Sequence, residues 1–196
     1  MSGLRVSEPR TLLIVWHSRT GTARQLARAA ELGALAGLRE AGGEDGGHVG
    51  HAGAAGVTAS SQGSCRVRRV PAARAAAADL LAAAAYLFVA PENLAALSGT
   101  MKEFFDRTYY DVLDRINGRP YGLIVAAGSD GHGAVRQVER IANGWRLRAV
   151  AAPLIVVTGA QTAAAIRAPK RVGPVEQARA GEFGATLAGG LALGIF

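Results

Sequence analysis

The chain predicts an α/β fold in which a parallel sheet carries helices on both faces, and three observations lead there. Apolar segments of strand length alternate with stretches of helical length along the 196 residues. Four of the five segments are nearly continuous in apolarity, as strands buried on both faces must be. A polar, hydroxyl-rich loop follows the first segment and runs straight into an Ala-rich helical pattern.

Residues 1–10 read as a mobile tail with no apolar signal core. The first strand is Leu12–Trp16, and its helix opens after the loop "HSRTGT". Residues 41–64 are rich in Gly and Ser and nearly devoid of large apolar side chains. That composition does not repay the entropy of ordering and predicts a flexible insertion. His48 and His51 lie in it without the acidic or Cys neighbours a metal needs, so no metal is expected.

The second strand, "CRVRRV" from Cys65 to Val70, alternates and carries Arg66, Arg68 and Arg69, which places it at an edge. Leu80 and Leu81 belong to a short helix before the third strand, Ala85–Ala90. After Ser98, a fitting N-cap, Met101, Phe104, Phe105, Thr108, Val112 and Ile116 share a helix face. Lys102, Glu103, Asp106 and Arg107 form the solvated side of that helix.

The fourth strand is Tyr121–Ala127. The helix after "GSDGHG" buries Val135, Val138, Ile141, Ala142 and Trp145. The fifth strand is Pro153–Thr158, and Pro174 opens a last helix, although Gly181, Gly184, Gly189 and Gly190 each weaken it by about 1 kcal/mol relative to Ala. The whole is one domain, 1–196.

Composition narrows the function. A net charge of +7 and a pI near 10.5 raise nucleic acid as a partner. Only Lys102 and Lys170 are lysines, however, and the arginines form no block interleaved with aromatics. Neither nucleic-acid binding nor membrane insertion is expected. Cys65 is the only cysteine, so no internal disulfide or CxxC pair exists, and a cytoplasmic setting follows most easily.

In the first loop, unpaired amides at the start of the helix favour an anion. Ser18, Thr20 and Thr22 add hydroxyls, and Gly21 lets the backbone curl closely. No Lys follows in Walker spacing, and the G-x-G-x-x-G dinucleotide fingerprint is absent. What remains is a cradle for a terminal phosphate monoester, or an ordinary helix cap.

Two further loops at strand ends carry a resemblance. "SRTGTA" resembles the S-x-T-G-N-T phosphate loop of the flavodoxin-like superfamily, "P-x-x-x-x-x-x-SG-x-MKEFFDR" its loop and helix beside the isoalloxazine ring, and "GSDGHGA" its third flavin loop. Within that superfamily the likeness is to FMN-dependent NAD(P)H oxidoreductases. It implies a three-layer flavodoxin-like fold with a five-stranded parallel sheet in the order 2-1-3-4-5.

Carried over, it implies that Ser18, Arg19, Thr20, Gly21 and Thr22 hold the FMN phosphate. Pro91, Glu92, Asn93, Leu94 and Ala95 would line one side of the ring, and Gly128, Ser129, Asp130, Gly131 and His132 the other. Backbone N–H groups of Asn93 or Gly131 are candidates to hydrogen-bond the ring, and a protonated His132 to stabilise its reduced, anionic form. No other catalytic side chain is required. Thr22 and Ala23 depart from the family's Asn and Thr, and Asn93 and Leu94 stand where many relatives place an aromatic.

The implied activity is transfer of hydride from NAD(P)H through FMN to a quinone, flavin or similar small-molecule acceptor, by a homo-oligomer, dimer or tetramer. Arg146, Arg148, Arg167, Lys170 and Arg171 fall in an acid-free span that reads as a nicotinamide 2'-phosphate site or as compositional bias. An electron carrier and a flavin-free binding protein stay open. The basic balance counts against the carrier, which usually presents an acidic face.

Overall fold

Alternate residues of each central strand enter opposite cores, and that alternation organises the molecule. The computed structural model describes residues 9–41 and 65–196. Its elements in chain order are β1 (Arg10–Trp16), α1 (Thr22–Ala41), β2 (Cys65–Pro71), α2 (Ala77–Ala82), β3 (Ala85–Asn93), β4 (Ala96–Leu97) and α3 (Gly99–Val112). They continue with β5 (Pro120–Ala127), α4 (His132–Gly144), β6 (Arg148–Ala149), β7 (Leu154–Val157), α5 (Ala163–Arg167) and α6 (Pro174–Ala192).

Strands β2, β1, β3 and β5 pair in parallel in that order, with the Arg-bearing β2 at the edge. The fifth position is shared. Strand β6 pairs with Pro120 and Tyr121, and β7 with Ile124–Ala127. The fifth strand expected at Pro153–Thr158 is β7, and the short β6 before it was not expected from the sequence. The two are separated by residues 150–153, where Pro153 has no N–H to give to the ladder. The order 2-1-3-4-5 holds once β6 and β7 count as one edge.

Leu13, Val15, Tyr86, Phe88, Tyr121, Leu123 and Val125 face α2, α3 and α4. Leu12, Ile14, Leu87, Val89, Ile124 and Val156 face α1 and α6. The first core is aromatic, with Phe88 5.1 Å from Phe105 and Trp145 5.4 Å from Phe105 between ring centroids. Trp145 is fully buried there.

The second core is built from small side chains, and its glycines explain a helix the sequence makes look weak. A Cβ on Gly184 would overlap the backbone of Ala30, and one on Gly33 the backbone of Gly181. The α1–α6 approach therefore needs bare backbone on both helices, and the packing it permits offsets the propensity cost of glycine in α6.

Boundaries differ at three places. Arg10, expected in the tail, opens β1, and its Nη1 donates to Leu191 O at 3.0 Å. Ala41, expected in the insertion, ends α1. Strand β3 runs on to Asn93 and folds back as a hairpin with β4, where a plain loop was expected. The remaining tail and insertion expectations, with His48 and His51, lie outside the described residues. Among the described residues, no helix is long and apolar enough to cross a membrane.

Candidate functional site

Parallel strands that all lead into helices open their connecting loops at one edge of the sheet, and the carboxyl ends of β1, β3, β5 and β7 meet there around a cavity of about 620 Å³. That size lies within the roughly 300–1,000 Å³ usual for cofactor sites. A cleft of about 320 Å³ between α1 and β2 is more basic, but its Arg28 and Arg69 are both paired with Glu31.

The first wall is the loop after β1. Gly21 has a φ of 99°, a conformation that favours glycine, and its N–H donates to Ser18 Oγ at 3.1 Å. The turn aims the start of α1 at the cavity. The first intrahelical bond there is from Gln25 N–H to Gly21 O, so the N–H groups of Thr22, Ala23 and Arg24 have no acceptor among the described residues. Ser18, Arg19, Thr20, Thr22 and Ala23 all line the cavity. Ala23 lines the cavity from a buried position at the edge of the second core and brings no hydroxyl to it.

Just before this loop, His17 Nδ1 lies 2.9 Å from the fully buried Ser98 Oγ, which ties the first loop to the start of α3. Burial, and then the Arg19 charge, hold His17's pKa below its usual value.

The second wall is the β3–β4 hairpin. Pro91, Glu92, Asn93, Leu94 and Ala95 all reach the cavity. Leu94 and Ala95 form its tip with φ of 53° and 58°, and Leu94 is fully exposed. Glu92 has a role that sequence does not suggest. Its Oε2 accepts the Gly131 N–H at 2.8 Å and its Oε1 the Ala134 N–H at 3.2 Å, so it caps α4 from another loop.

The third loop supplies Gly128 and Ser129 to the wall. Gly131 turns the chain with a φ of 94°, and His132 leaves the loop as the exposed first residue of α4. Asp130 is also exposed, its Oδ2 accepting the His132 N–H at 3.2 Å. The expectation of a Gly131 N–H aimed at a ring is corrected, because that proton is committed to Glu92. Asp130, Gly131 and His132 lie off the cavity wall.

A fourth wall escapes the sequence reading. Thr158, Ala160, Gln161, Ile166, Arg167 and Lys170, from the β7–α6 connection, close the cavity. An acid-free span was the signal available for Arg167 and Lys170, and it read as a 2'-phosphate site or as compositional bias, not as part of this cavity. Trp16 and Trp145 stand away from the cavity. Arg69 covers the Trp16 ring at 5.4 Å, and Trp145 stacks on Tyr109 at 5.8 Å.

The wall fits FMN. Unpaired amides and the hydroxyls of Thr20 and Thr22 suit a phosphate dianion, and Arg19, Arg167 and Lys170 outnumber the single carboxylate of Glu92.

Comparison with known proteins agrees with a flavin-binding family and fold. The sequence model of the family described as NADPH-dependent FMN reductase matches residues 17–163. No curated protein matches the chain. Among solved structures, a flavodoxin from the domain Archaea superposes with a TM-score of 0.61 at 10% identity, over 91% of this chain and 96% of that one. An oxidoreductase from Corynebacterium diphtheriae gives 0.60 at 19% identity, over 93% and 98%. The flavodiiron core of a Synechocystis protein gives 0.64 at 13% identity, over 96% of this chain but 37% of its own. At these identities the structures establish the shared flavodoxin-like fold.

Proposed function

The chain belongs to the NADPH-dependent FMN reductase family, and from that premise we propose that it holds FMN in the strand-end cavity and passes reducing equivalents from NAD(P)H to a small quinone, free flavin or similar acceptor. It is an FMN-binding, NAD(P)H-dependent oxidoreductase. When bound, FMN supplies the hydride chemistry, and the protein supplies position and electrostatics.

The observation that carries the site assignment is the convergence of unpaired α1 amides with the β3–β4 hairpin and Gly128–Ser129 on one cavity. Ser18, Thr20, Gly21, Thr22 and Arg19 receive the phosphate. Pro91, Asn93, Leu94 and Ala95 form one flank of the ring and Gly128 and Ser129 the other. Glu92 orders both flanks through the α4 cap. The fully exposed Leu94 at the rim suits a second subunit covering the ring, in a homodimer or tetramer.

The test is a spectrum of the purified protein with added FMN, followed by NADPH under argon. Flavin absorbance near about 450 nm that shifts on binding and bleaches rapidly supports the enzyme. Binding without bleaching assigns an electron carrier, and no binding removes the cavity from consideration as a flavin site.

A further inference from the structure

The β7–α6 connection is fastened to the first loop. The Lys170 N–H donates to Thr20 O at 2.8 Å. The Gln25 side chain clamps the same stretch, its Nε2 donating to Lys170 O at 2.7 Å and Gly21 O at 3.1 Å, and its Oε1 accepting the Val172 N–H at 3.1 Å. Gln177 Nε2 adds a bond to Val172 O at 2.8 Å. Residues 159–172 therefore form a strap across the loop.

The strap contains α5, whose last residues Ile166 and Arg167 line the cavity. Free carbonyls at a helix C-terminus repel an anion. Lys170 removes that obstacle, because its Nζ donates to the carbonyls of Ala165, Ile166 and, at 2.7 Å, Ala168. The strap's third cation, Arg171, is not among the cavity-lining residues. With the Lys170 ammonium engaged, Arg167 is therefore the cation available on the cavity wall, and its guanidinium joins no ion pair among the described residues.

We propose that Arg167 is a ligand of the cofactor phosphate, carried by a strap that Gln25 holds against the phosphate loop, and that it supplies the anchoring which a hydroxyl at position 23 would otherwise give. Guanidinium geometry matches a phosphate dianion through paired donors, so one arginine outweighs one lost hydroxyl. Gln25 is a positioning residue. The proposal rests on the reading of Ser18–Thr22 as the phosphate end of an FMN site.

Riboflavin, which lacks the phosphate, separates this contact from every other. FMN and riboflavin are titrated into apoprotein by flavin-fluorescence quenching, with inorganic phosphate as competitor. Arg167→Gln is expected to weaken FMN roughly tenfold or more, to leave riboflavin unchanged and to weaken competition by phosphate, with partial recovery in Arg167→Lys. Gln25→Ala is expected to act in the same direction. Arg167 is exposed, so the melting temperature of R167Q should stay in place and exclude misfolding.

Equal FMN affinity in R167Q and the wild type overturns the proposal, as does an equal loss for both flavins. A raised KM for NADPH with FMN affinity intact also overturns it and assigns Arg167 to the dinucleotide. A wild type that binds neither flavin takes down the functional reading together with this one, whereas all the other outcomes presuppose a flavin site.

Discussion

Glu92 Oε2 accepts the backbone N–H of Gly131 at 2.8 Å, across 39 residues of chain. One carboxylate on the β3–β4 hairpin thus stabilises the N-terminus of α4 and fixes the distance between the two flanks of the proposed ring site. Glu92→Ala leaves the N–H groups of Gly131 and Ala134 without their acceptor. A loss of about 1–2 kcal/mol in unfolding free energy is expected, together with weaker binding of both FMN and riboflavin. Glu92→Gln keeps one acceptor oxygen but sets its NH2 against the other amide and loses the charge at the helix end, so a loss of about 1 kcal/mol is expected. Urea denaturation checks both, and equal stability in all three proteins would remove the cap from the account.

The hairpin tip stores strain. Leu94 and Ala95 both have positive φ, in a two-residue connection that ordinarily selects Asn-Gly. A double variant, Leu94→Asn with Ala95→Gly, relieves an unfavourable backbone while keeping the turn. Unfolding free energy should rise by about 1 kcal/mol, and the melting temperature by roughly 2–4 °C for a chain of this size. A lower melting temperature would mean that the exposed Leu94 side chain makes a stabilising contact, such as one across a subunit interface.

Those two relationships also mark how far the sequence could be read. Strands buried on both faces show as continuous runs such as "YGLIVAA", so the order of elements and the first loop were legible from local composition. The Glu92 cap was not, because no local pattern links a carboxylate to amides 39 residues on. Nor was the hairpin, whose turn holds Leu-Ala where the physical signal is Asn-Gly. His132 follows the Gly-rich loop so closely in sequence that it reads as part of the ring's surroundings, yet α4 begins at that residue and takes it to the surface. The strap had no periodicity to betray it. Its place depends on Gln25, which in a helical pattern looks like any half-exposed polar residue.

His17 gives the fold a dependence on pH that can be signed. Burial, then the Arg19 charge, hold its pKa below 6.5, so the unfolded chain takes up a proton at this ring before the folded protein does. The contribution is fully present above pH 6.5 and is lost as the pH falls through the folded-state pKa. Glu31 acts in a separate, more acidic window. Burial opposes its ionisation, but hydrogen bonds and charge from Arg28 and Arg69 prevail and hold its pKa below 4.5. His17→Asn retains a polar group to face the Ser98 hydroxyl without the titration. Between about pH 7 and about pH 5, the urea midpoint of the wild type should fall more steeply than that of the variant. Parallel curves would show that His17 is solvated in solution, and with it that the contact between the first loop and Ser98 does not persist.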